Sequence, residues 1–462
     1  MTARAAQVPL IHAVADQAGE IARGDLPGAV REQGRLCLLD TIGCVIAGSG
    51  HPAARAFARG ESETWSASGL GAQIRVARQL AYQGDIFELN DLIGGHASIG
   101  TVPTVLVAAQ ASDADGETLL RAVVAGVETT ARLYRSHSMF WKGYDNFGAV
   151  VTTVLSSAGA AAAASLMTDI SAEQRREALA LAIATAGWGP AEVIFGDGGT
   201  LKPTQFGAAP AEKGLRAVAA ARAGLTGPPR ILESPIGWLS TAASDYDAEI
   251  MLGRTGWCLT DQMQRKLHAC CGYIHASLDA VRELVVAGHD VASANEIIVE
   301  VPAYVRLVVA KDAPPRSEND ARFHLNYMLA LVAQGVYPIA PEHSTEFTSR
   351  FADAGVQALL PRIRVQELTD GVEQAGFKYN SARVTAVWAD GTRATAECDA
   401  PAGSLGNPLD AAAVQRKFHA LAAPRLGAER AEQLHATIMR IEEQTDSRWV
   451  ADLLPSICTT VE

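Results

Sequence analysis

The stretch at residues 265–279, which reads RKLHACCGYIHASLD, concentrates groups that could carry chemistry. Within ten positions it offers a lysine, two histidines, two cysteines and a tyrosine. Cys271 and His275 are four residues apart and would share one face of a helix, as a pair of metal ligands can. Two ligands are too few for a zinc site, and the sequence shows no second matching pair, so we predict no metal site. The alternative is that these side chains are packed core groups, which is the usual fate of isolated examples.

Four other segments also place titratable residues among small apolar ones, at 85–98, 144–148, 202–209 and 321–327. Hydrolysis by Ser98 is disfavoured, because His96 occupies the first glycine position of the nucleophile-elbow pattern. Cys271 is disfavoured as a nucleophile, since nothing in the sequence supplies the positive setting that lowers the pKa of a thiol. The glycine-rich pieces lack the spacing of a dinucleotide or phosphate loop, so nucleotide cofactors are not expected.

Charge and hydropathy limit the partners that the chain can have. The formal net charge is −12 without any run of lysine or arginine, so we expect no nucleic-acid partner. No stretch offers about 20 uninterrupted apolar residues, so we expect no membrane partner and a cytoplasmic protein. The seven cysteines are scattered and odd in number, which indicates reduced thiols. Small ligands therefore remain as the expected partners.

The elements that must position these residues change character along the chain. Up to about residue 265 the pattern is helical, with alanine-rich segments of 3.6-residue periodicity such as 29–48, 115–135 and 150–167. Residues 295–302 and 381–401 are rich in β-branched types, and Ala389-Asp390-Gly391 separates two alternating runs as a hairpin turn. A last helical segment at 409–427 follows. We predict a mainly α fold with α+β, in which 1–267 and 405–462 form a large helical domain and 268–404 a smaller α+β domain.

Seven segments in sequence order together resemble the MmgE/PrpD family, which includes 2-methylcitrate dehydratase, cis-aconitate decarboxylase and iminodisuccinate epimerase. They are LLDTIGCVIAG, GHASIGTVPTVLVAA, LKPTQFGAAPAEKG, AGLTGPPRILESPIGW, the Lys–Cys–His pattern of the 265–279 stretch, ARFHLNY, and DGTRATAECDAPAGSLGNPLDAAAVQRKF. The resemblance runs over nearly the whole chain. It implies a large helical domain with a smaller α+β lid, a homodimer, an active site between the domains, and no metal or organic cofactor.

The resemblance also implies which residues do the chemistry. The expected catalytic residues are Asp91, His96, Lys202, Lys266 and Tyr327. We expect four further residues to bind the substrate: Glu88, Tyr144, Gln205 and His275. Such a set suits proton transfer at a carbon next to a carboxylate, with a histidine as base and fixed cations meeting the negative charge that develops.

Individual roles follow from residue type, and each has a structural alternative. A histidine needs little adjustment of its pKa to act as a base near neutral pH, so His96 is the expected base. Tyr327 could protonate a leaving hydroxyl or the opposite face of a carbanion. Asp91 could instead cap a helix, and Lys202 could be a solvated loop lysine.

The chain departs from the family pattern in ways that leave its reaction open. Glu88-Leu89-Asn90-Asp91 stands where members typically carry Asp-Phe-Asp-Asp, and Ala97 replaces a proline. A second family histidine has no counterpart near 143–150, and Gln205 stands where a histidine is common. We therefore predict a cofactor-independent lyase or isomerase that acts on a small di- or tricarboxylate by α-proton abstraction, as a 2-methylcitrate dehydratase-like hydro-lyase or an epimerase. The alternative is a non-enzymatic carboxylate-binding protein on a degenerate family scaffold.

Overall fold

The computed structural model describes residues 8–143, 146, 148–149, 152–196, 201–369 and 381–459. In these residues the α-helices, numbered in chain order, are α1 (Leu10–Arg23), α2 (Gly28–Gly48), α3 (Pro52–Thr64), α4 (Gly69–Asp85), α5 (Ala97–Ser112), α6 (Gly116–Ser138), α7 (Thr152–Ser165), α8 (Ala172–Thr185), α9 (Glu192–Phe195), α10 (Ala209–Arg222), α11 (Trp238–Ala242), α12 (Ala248–Met251), α13 (Cys258–Asp261), α14 (His275–Val286), α15 (Ala303–Val309), α16 (Glu318–Ala321), α17 (Leu325–Ala333), α18 (Pro341–Thr345), α19 (Phe347–Phe351), α20 (Ala354–Leu359), α21 (Ala411–Leu426), α22 (Ala428–Met439) and α23 (Arg448–Ile457). The strands are β1 (Glu296–Val301), β2 (Ile363–Glu367), β3 (Ala382–Val387) and β4 (Arg393–Cys398). This mainly α fold with a small α+β part confirms the predicted fold class.

Small residues let the central helices of the helical body approach closely. Every residue of α7, TTVLSSAGAAAAAS, is buried. A Cβ added at Gly159 of α7 would lie 2.4 Å from the carbonyl oxygen of Gly126 in α6, and one at Gly214 of α10 would lie 2.6 Å from the Cβ of Ala160. Backbones can meet at such distances only where side chains are absent or minimal. The alanine and glycine content of α7 therefore fixes how α6 and α10 pack against it.

The α+β part is built on a four-stranded sheet of order β2-β1-β3-β4. The β1–β2 pair is parallel, whereas β1–β3 and β3–β4 are antiparallel. Gly391, with φ of 82°, lies in the turn between β3 and β4, so the hairpin predicted at Ala389-Asp390-Gly391 is confirmed. Strand β2 was not predicted. One face of β1 is buried through Ile297, Val299 and Val301, and it joins a core separate from that of the helical body.

The last helical segment packs on the helical body, as the sequence indicated. Phe418 of α21 is fully buried and lies against Gly43 of α2, where an added Cβ would be 3.2 Å from its ring. The neighbouring Lys417 pairs with Asp40 at 2.7 Å and donates a hydrogen bond of 2.6 Å to the carbonyl oxygen of Leu89. The division of the chain into 1–267 with 405–462 and 268–404 stays a prediction.

Among the described residues, no single helix combines the length and apolar character needed to cross a membrane. The pair α2 and α3 meets the criteria of length and composition together, but a break between the two helices bends it by 92°.

Replacing Phe418 by alanine is expected to destabilise the protein by about 3–5 kcal/mol, because it removes a buried ring and leaves a cavity against α2. Thermal and urea unfolding of the two proteins would measure this loss. The control is Arg416→Ala on the exposed face of the same helix, which should change stability by no more than about 0.5 kcal/mol. Equal effects of the two substitutions would contradict the packing of α21 on the body.

Candidate active site

A strained loop between α4 and α5 presents two side chains to one cavity. Glu88 has φ of 56° and His96 has φ of 79°, both in the left-handed region that only glycine adopts freely. Each such residue costs about 1–3 kcal/mol and persists where the surroundings impose it. Gly94 and Gly95, with φ of 56° and 70°, allow the loop to pass close to the helices, since a Cβ at Gly95 would lie 2.8 Å from the Oγ1 of Thr152. The backbone is thus shaped around the positions of Glu88 and His96.

The cavity that these side chains face has a volume of about 390 Å³. It is lined by residues of the helical body and by Cys271, Gly272, Tyr273 and Phe323 of the α+β part, which we call the lid. Concave sites of this size that mix apolar walls with a few polar groups are typical of small-molecule binding. Polar and aromatic residues reach its wall from the loop, from α6, from the segments that carry Lys202 and Lys266, and from the lid. They include Glu88, His96, Tyr134, Arg135, His137, Lys202, Lys266 and Tyr273.

Two buried lysines meet at the carboxylate of Glu88. Lys266 pairs with one carboxylate oxygen and Lys202 with the other, and Lys202 also pairs with Asp85. Burial alone would raise the pKa of Glu88, but the ammonium groups of Lys202 and Lys266 outweigh it and lower that pKa. Burial also dominates at Asp85, whose pKa is raised to about 6. An ammonium has three N–H donors. Each lysine therefore keeps at least one donor that no described residue uses, and this donor can bind a ligand.

Local backbone contacts hold each lysine in place. Lys202 begins a helical turn that continues through a π-helical segment at Thr204–Ala208 into α10. π-helical turns of this kind occur often at functional sites. Lys266 lies in an extended segment, where the adjacent Arg265 pairs with Asp91 in a single β-bridge and donates its N–H to the carbonyl oxygen of Gly403 at 2.9 Å.

His96 is held as a neutral imidazole with a defined tautomer. Its Nδ1 lies 2.7 Å from the Oδ1 of Asn90, whose Nδ2 in turn donates to the Oδ1 of Asp85 at 2.7 Å. Because Asp85 must accept, the Asn90 amide presents its oxygen to His96, and Nδ1 of His96 carries the proton. Burial and the charges of Lys202 and Lys266 lower the pKa of His96 well below its ordinary value. The unprotonated Nε2 is therefore available to accept a proton.

Two cavity residues at the end of α6 were missed in the sequence. His137 is buried, its Nδ1 donates to the carbonyl oxygen of Leu133 at 2.7 Å, and burial lowers its pKa to about 4. The guanidinium of Arg135 makes no ion pair or hydrogen bond with the residues that the structure describes. Basic residues in the last turn of a helix are common because they complement the helix dipole. The sequence pattern therefore gave no functional signal for this pair.

Asp91 does not line the cavity but lies behind it. Its Oδ2 accepts a hydrogen bond of 3.2 Å from the backbone N–H of Ser98 in the first turn of α5. Burial raises the pKa of Asp91 to about 7, and the nearby carboxylate of Asp40 adds to the shift. This is the helix-capping arrangement that the sequence analysis gave as the structural alternative.

Tyr327 and Gln205, two other predicted site residues, also lie outside the cavity lining. Tyr327 is buried inside the lid against Phe347 and Phe351, with ring centroids 5.7 and 5.9 Å apart, and burial raises its pKa to about 12. The carbonyl oxygen of Gln205 accepts a hydrogen bond of 2.7 Å from Thr153. Tyr144 lies outside the described residues. The structure thus brings together Glu88, His96, Lys202 and Lys266 of the predicted set.

The helix expected across Cys271 and His275 begins too late for the two side chains to share a face, so that expectation was wrong. Cys271 lies in the extended segment, where its N–H bonds the carbonyl oxygen of Arg322, and α14 begins only at His275. The Nε2 of His275 lies 3.3 Å from the carbonyl oxygen of Cys270, in the lid core. Burial raises the pKa of the Cys271 thiol to about 12, which agrees with a packed residue.

Replacing Asp91 by asparagine is expected to stabilise the protein more at pH 8 than at pH 5. The folded-state pKa of Asp91 is raised to about 7, whereas an unfolded aspartate titrates near 3.9. Between these values only the folded state holds the proton, so the wild type loses stability as the pH rises through this window, and the asparagine variant does not.

Urea unfolding of the wild type and Asp91→Asn at the two pH values measures this difference. The exposed substitution Asp452→Asn is the control and should show the same small effect at both. If Asp91→Asn changed the free energy of unfolding equally at both pH values, Asp91 would not have a raised pKa in the folded protein.

Known proteins match this chain over both parts of the fold. Residues 12–251 match the MmgE/PrpD N-terminal domain and residues 268–443 the MmgE/PrpD C-terminal domain. Among curated relatives, cis-aconitate decarboxylase of Homo sapiens is 24% identical over 65% of this chain, and that of Mus musculus is 26% identical over 66%. The matched part spans 62% of the length of each of these two proteins. Cis-aconitate decarboxylase of Aspergillus terreus is 21% identical over 95% of this chain and 94% of its own length. Because the two domain matches together cover most of the chain, the protein belongs to the MmgE/PrpD family.

Proposed function

We propose that this protein is a lyase that transfers a proton at a carbon adjacent to a carboxylate of a small di- or tricarboxylate. The family membership and the named activity of the relatives support the lyase class. The observation that carries the proposal is a neutral imidazole, His96, which lines one cavity together with Lys202 and Lys266. A base next to fixed cations is what carbanion formation beside a carboxylate requires.

In the proposed step, Nε2 of His96 takes the α-proton and the electron pair moves onto the substrate carboxylate. The negative charge that grows on the carboxylate oxygens is met by N–H donors of Lys202 and Lys266 that their partners Asp85 and Glu88 leave unused. These donors are buried and fixed by ion pairs before the reaction, so they need no reorganisation when charge develops. The chain's own residues supply the base and the charge stabilisation.

His137 is proposed as the replacement for the family histidine that the sequence lacks. Its Nε2 makes no hydrogen bond with the described residues, and its tautomer is fixed by Leu133 in the way that Asn90 fixes that of His96. It thus provides a second proton-transfer group in the same cavity, supplied by α6 rather than by the segment before α7. We propose that Arg135, which pairs with none of the described residues, binds a second carboxylate of the substrate, which favours a polycarboxylate over a monocarboxylate.

The finer reaction is proposed in two forms. Dehydration or decarboxylation is the first, because the curated relatives are cis-aconitate decarboxylases. In a decarboxylation the carbanion would form by loss of CO₂ instead of a proton, so a histidine in its protonated form would donate a proton to it. An epimerase or isomerase is the second, favoured by two imidazoles that line one cavity, since one can take the α-proton while the other, after taking a different proton from solvent, donates it to the carbanion. The homodimer and the cytoplasmic location implied earlier are part of this proposal.

Proton NMR in deuterated buffer with cis-aconitate, citrate, 2-methylcitrate and succinate derivatives is expected to show loss of an α-hydrogen signal. New alkene signals or a shortened carbon skeleton would identify a dehydratase or a decarboxylase. Exchange without new alkene would identify the epimerase form. If none of these acids exchanged a hydrogen or gave a product, while calorimetry showed that they bind, the result would contradict a lyase and favour the carboxylate-binding protein.

Replacing His96 by glutamine is expected to lower turnover by about two to four orders of magnitude while carboxylate binding is largely kept. His137→Gln is expected to lower turnover as well and to remove a limb of the pH–rate profile, which a purely structural role would leave in place. The control is His289→Gln, at an exposed histidine outside the cavity. If all three variants kept wild-type turnover, the assigned proton-transfer roles would be wrong.

A further inference from the structure

A second cluster of titratable side chains lies on the hairpin formed by α21 and α22, outside the cavity. His419 comes from α21, and Glu432 and His435 come from adjacent turns of α22. The Nε2 of His419 lies 3.3 Å from the Oε2 of Glu432, and the Nδ1 of His435 lies 3.6 Å from the Oε1 of Glu432. One ligand atom from each residue falls within 4.8 Å of the other two. Two imidazoles from facing helices therefore converge on one carboxylate.

This geometry is close to what a tetrahedral zinc-type ion needs. Zinc binds histidine nitrogens at about 2.0–2.1 Å and carboxylate oxygens at about 2.0–2.2 Å, so ligand atoms around it lie roughly 3.3–3.5 Å apart. The separation of 3.3 Å between His419 and Glu432 is already in this range, and the three ligand atoms, which lie within 4.8 Å of one another, would have to turn toward a shared ion. Gln415, whose Nε2 lies 3.5 Å from the Nδ1 of His435, is the neighbour that would turn away. The side chain of Glu432 is 62% exposed, which leaves a fourth position open to water.

Simple ion pairing is the competing explanation for the cluster. Exposed pairs between a histidine and a carboxylate contribute little and require a protonated imidazole. A metal ion instead uses the neutral imidazole and one carboxylate together, and two histidines with a carboxylate suit zinc and its neighbours in the first transition series. The prediction of no metal site rested on Cys271 and His275, which have no second matching pair, and did not consider His419, Glu432 and His435. The hairpin brings these three residues together.

We propose that His419, Glu432 and His435 form a binding site for a zinc-class divalent ion that clamps α21 to α22. This site takes part in no step of the proposed reaction, and its proposal does not depend on that reaction. Its connection to the cavity runs through α21, where Lys417 is two residues from His419 and holds the carbonyl oxygen of Leu89 beside Glu88. A bound ion would therefore stabilise the helix that supports the strained loop.

The full-length chain, stripped with a chelator and titrated with Zn²⁺ by calorimetry, is expected to bind one ion at this site and to gain thermal stability. The single variants His419→Gln and His435→Gln should each weaken that binding by more than tenfold, since even changes to groups behind metal ligands cost about 10- to 100-fold. Co²⁺ should give the visible absorption of a four-coordinate site in the wild type and lose it in both variants.

The matched controls are His289→Gln and Glu429→Gln, the latter on the exposed side of α22. Both should bind Zn²⁺ as the wild type does. Thermal unfolding without metal checks that all variants fold. Equal Zn²⁺ affinity in the wild type and in the triple variant with His419, Glu432 and His435 all changed to glutamine would overturn the proposal and place any bound ion elsewhere. Absence of Zn²⁺ binding by the wild type would overturn it as well.

Discussion

The carboxylate of Glu88, shared between the ammonium groups of Lys202 and Lys266, is the interaction on which the site depends. Removing an ion from water costs several kcal/mol, and only close opposite charges offset that cost inside a protein. The two lysines, both almost fully buried, therefore need a carboxylate between them. Glu88 reaches that point because its backbone adopts a left-handed conformation, and such strain persists only when the surrounding structure imposes it. Lys417 supplies part of that support from α21 through the carbonyl oxygen of Leu89.

The same charges decide the protonation of His96. Two nearby ammonium groups and burial both disfavour an imidazolium, so the ring stays neutral. Asn90 orients the ring without adding negative charge. By its place in the sequence, Asn90 stands in the run that is acidic in typical family members. A carboxylate at that position would raise the pKa of His96 and favour its imidazolium form. The departure from the family pattern is thus consistent with a preserved base, even though a charged group is lost.

The predictions that succeeded depended on local patterns. The helix α6 follows from its 3.6-residue periodicity, and the β3–β4 hairpin follows from its turn residues. The helices α2, α7 and α21 lie where they were predicted, although their apolar residues are spread around the helix. Strand β2 was not predicted, because only its first residue is buried and it pairs in parallel with β1 across a long connection. Its β-structure is therefore stabilised by a distant partner rather than by its own pattern.

The sequence by itself determined the family, the helical and mixed regions, and the residue types His96, Lys202 and Lys266 that could transfer protons. Only the tertiary structure decided which polar side chains face the cavity. Tyr327 packs in the lid core, and His137 reaches the cavity from the end of a helix. The physical reason is that the direction of a side chain depends on contacts with segments distant in sequence. The ion pairs of Glu88 likewise exist only after those segments meet and exclude water.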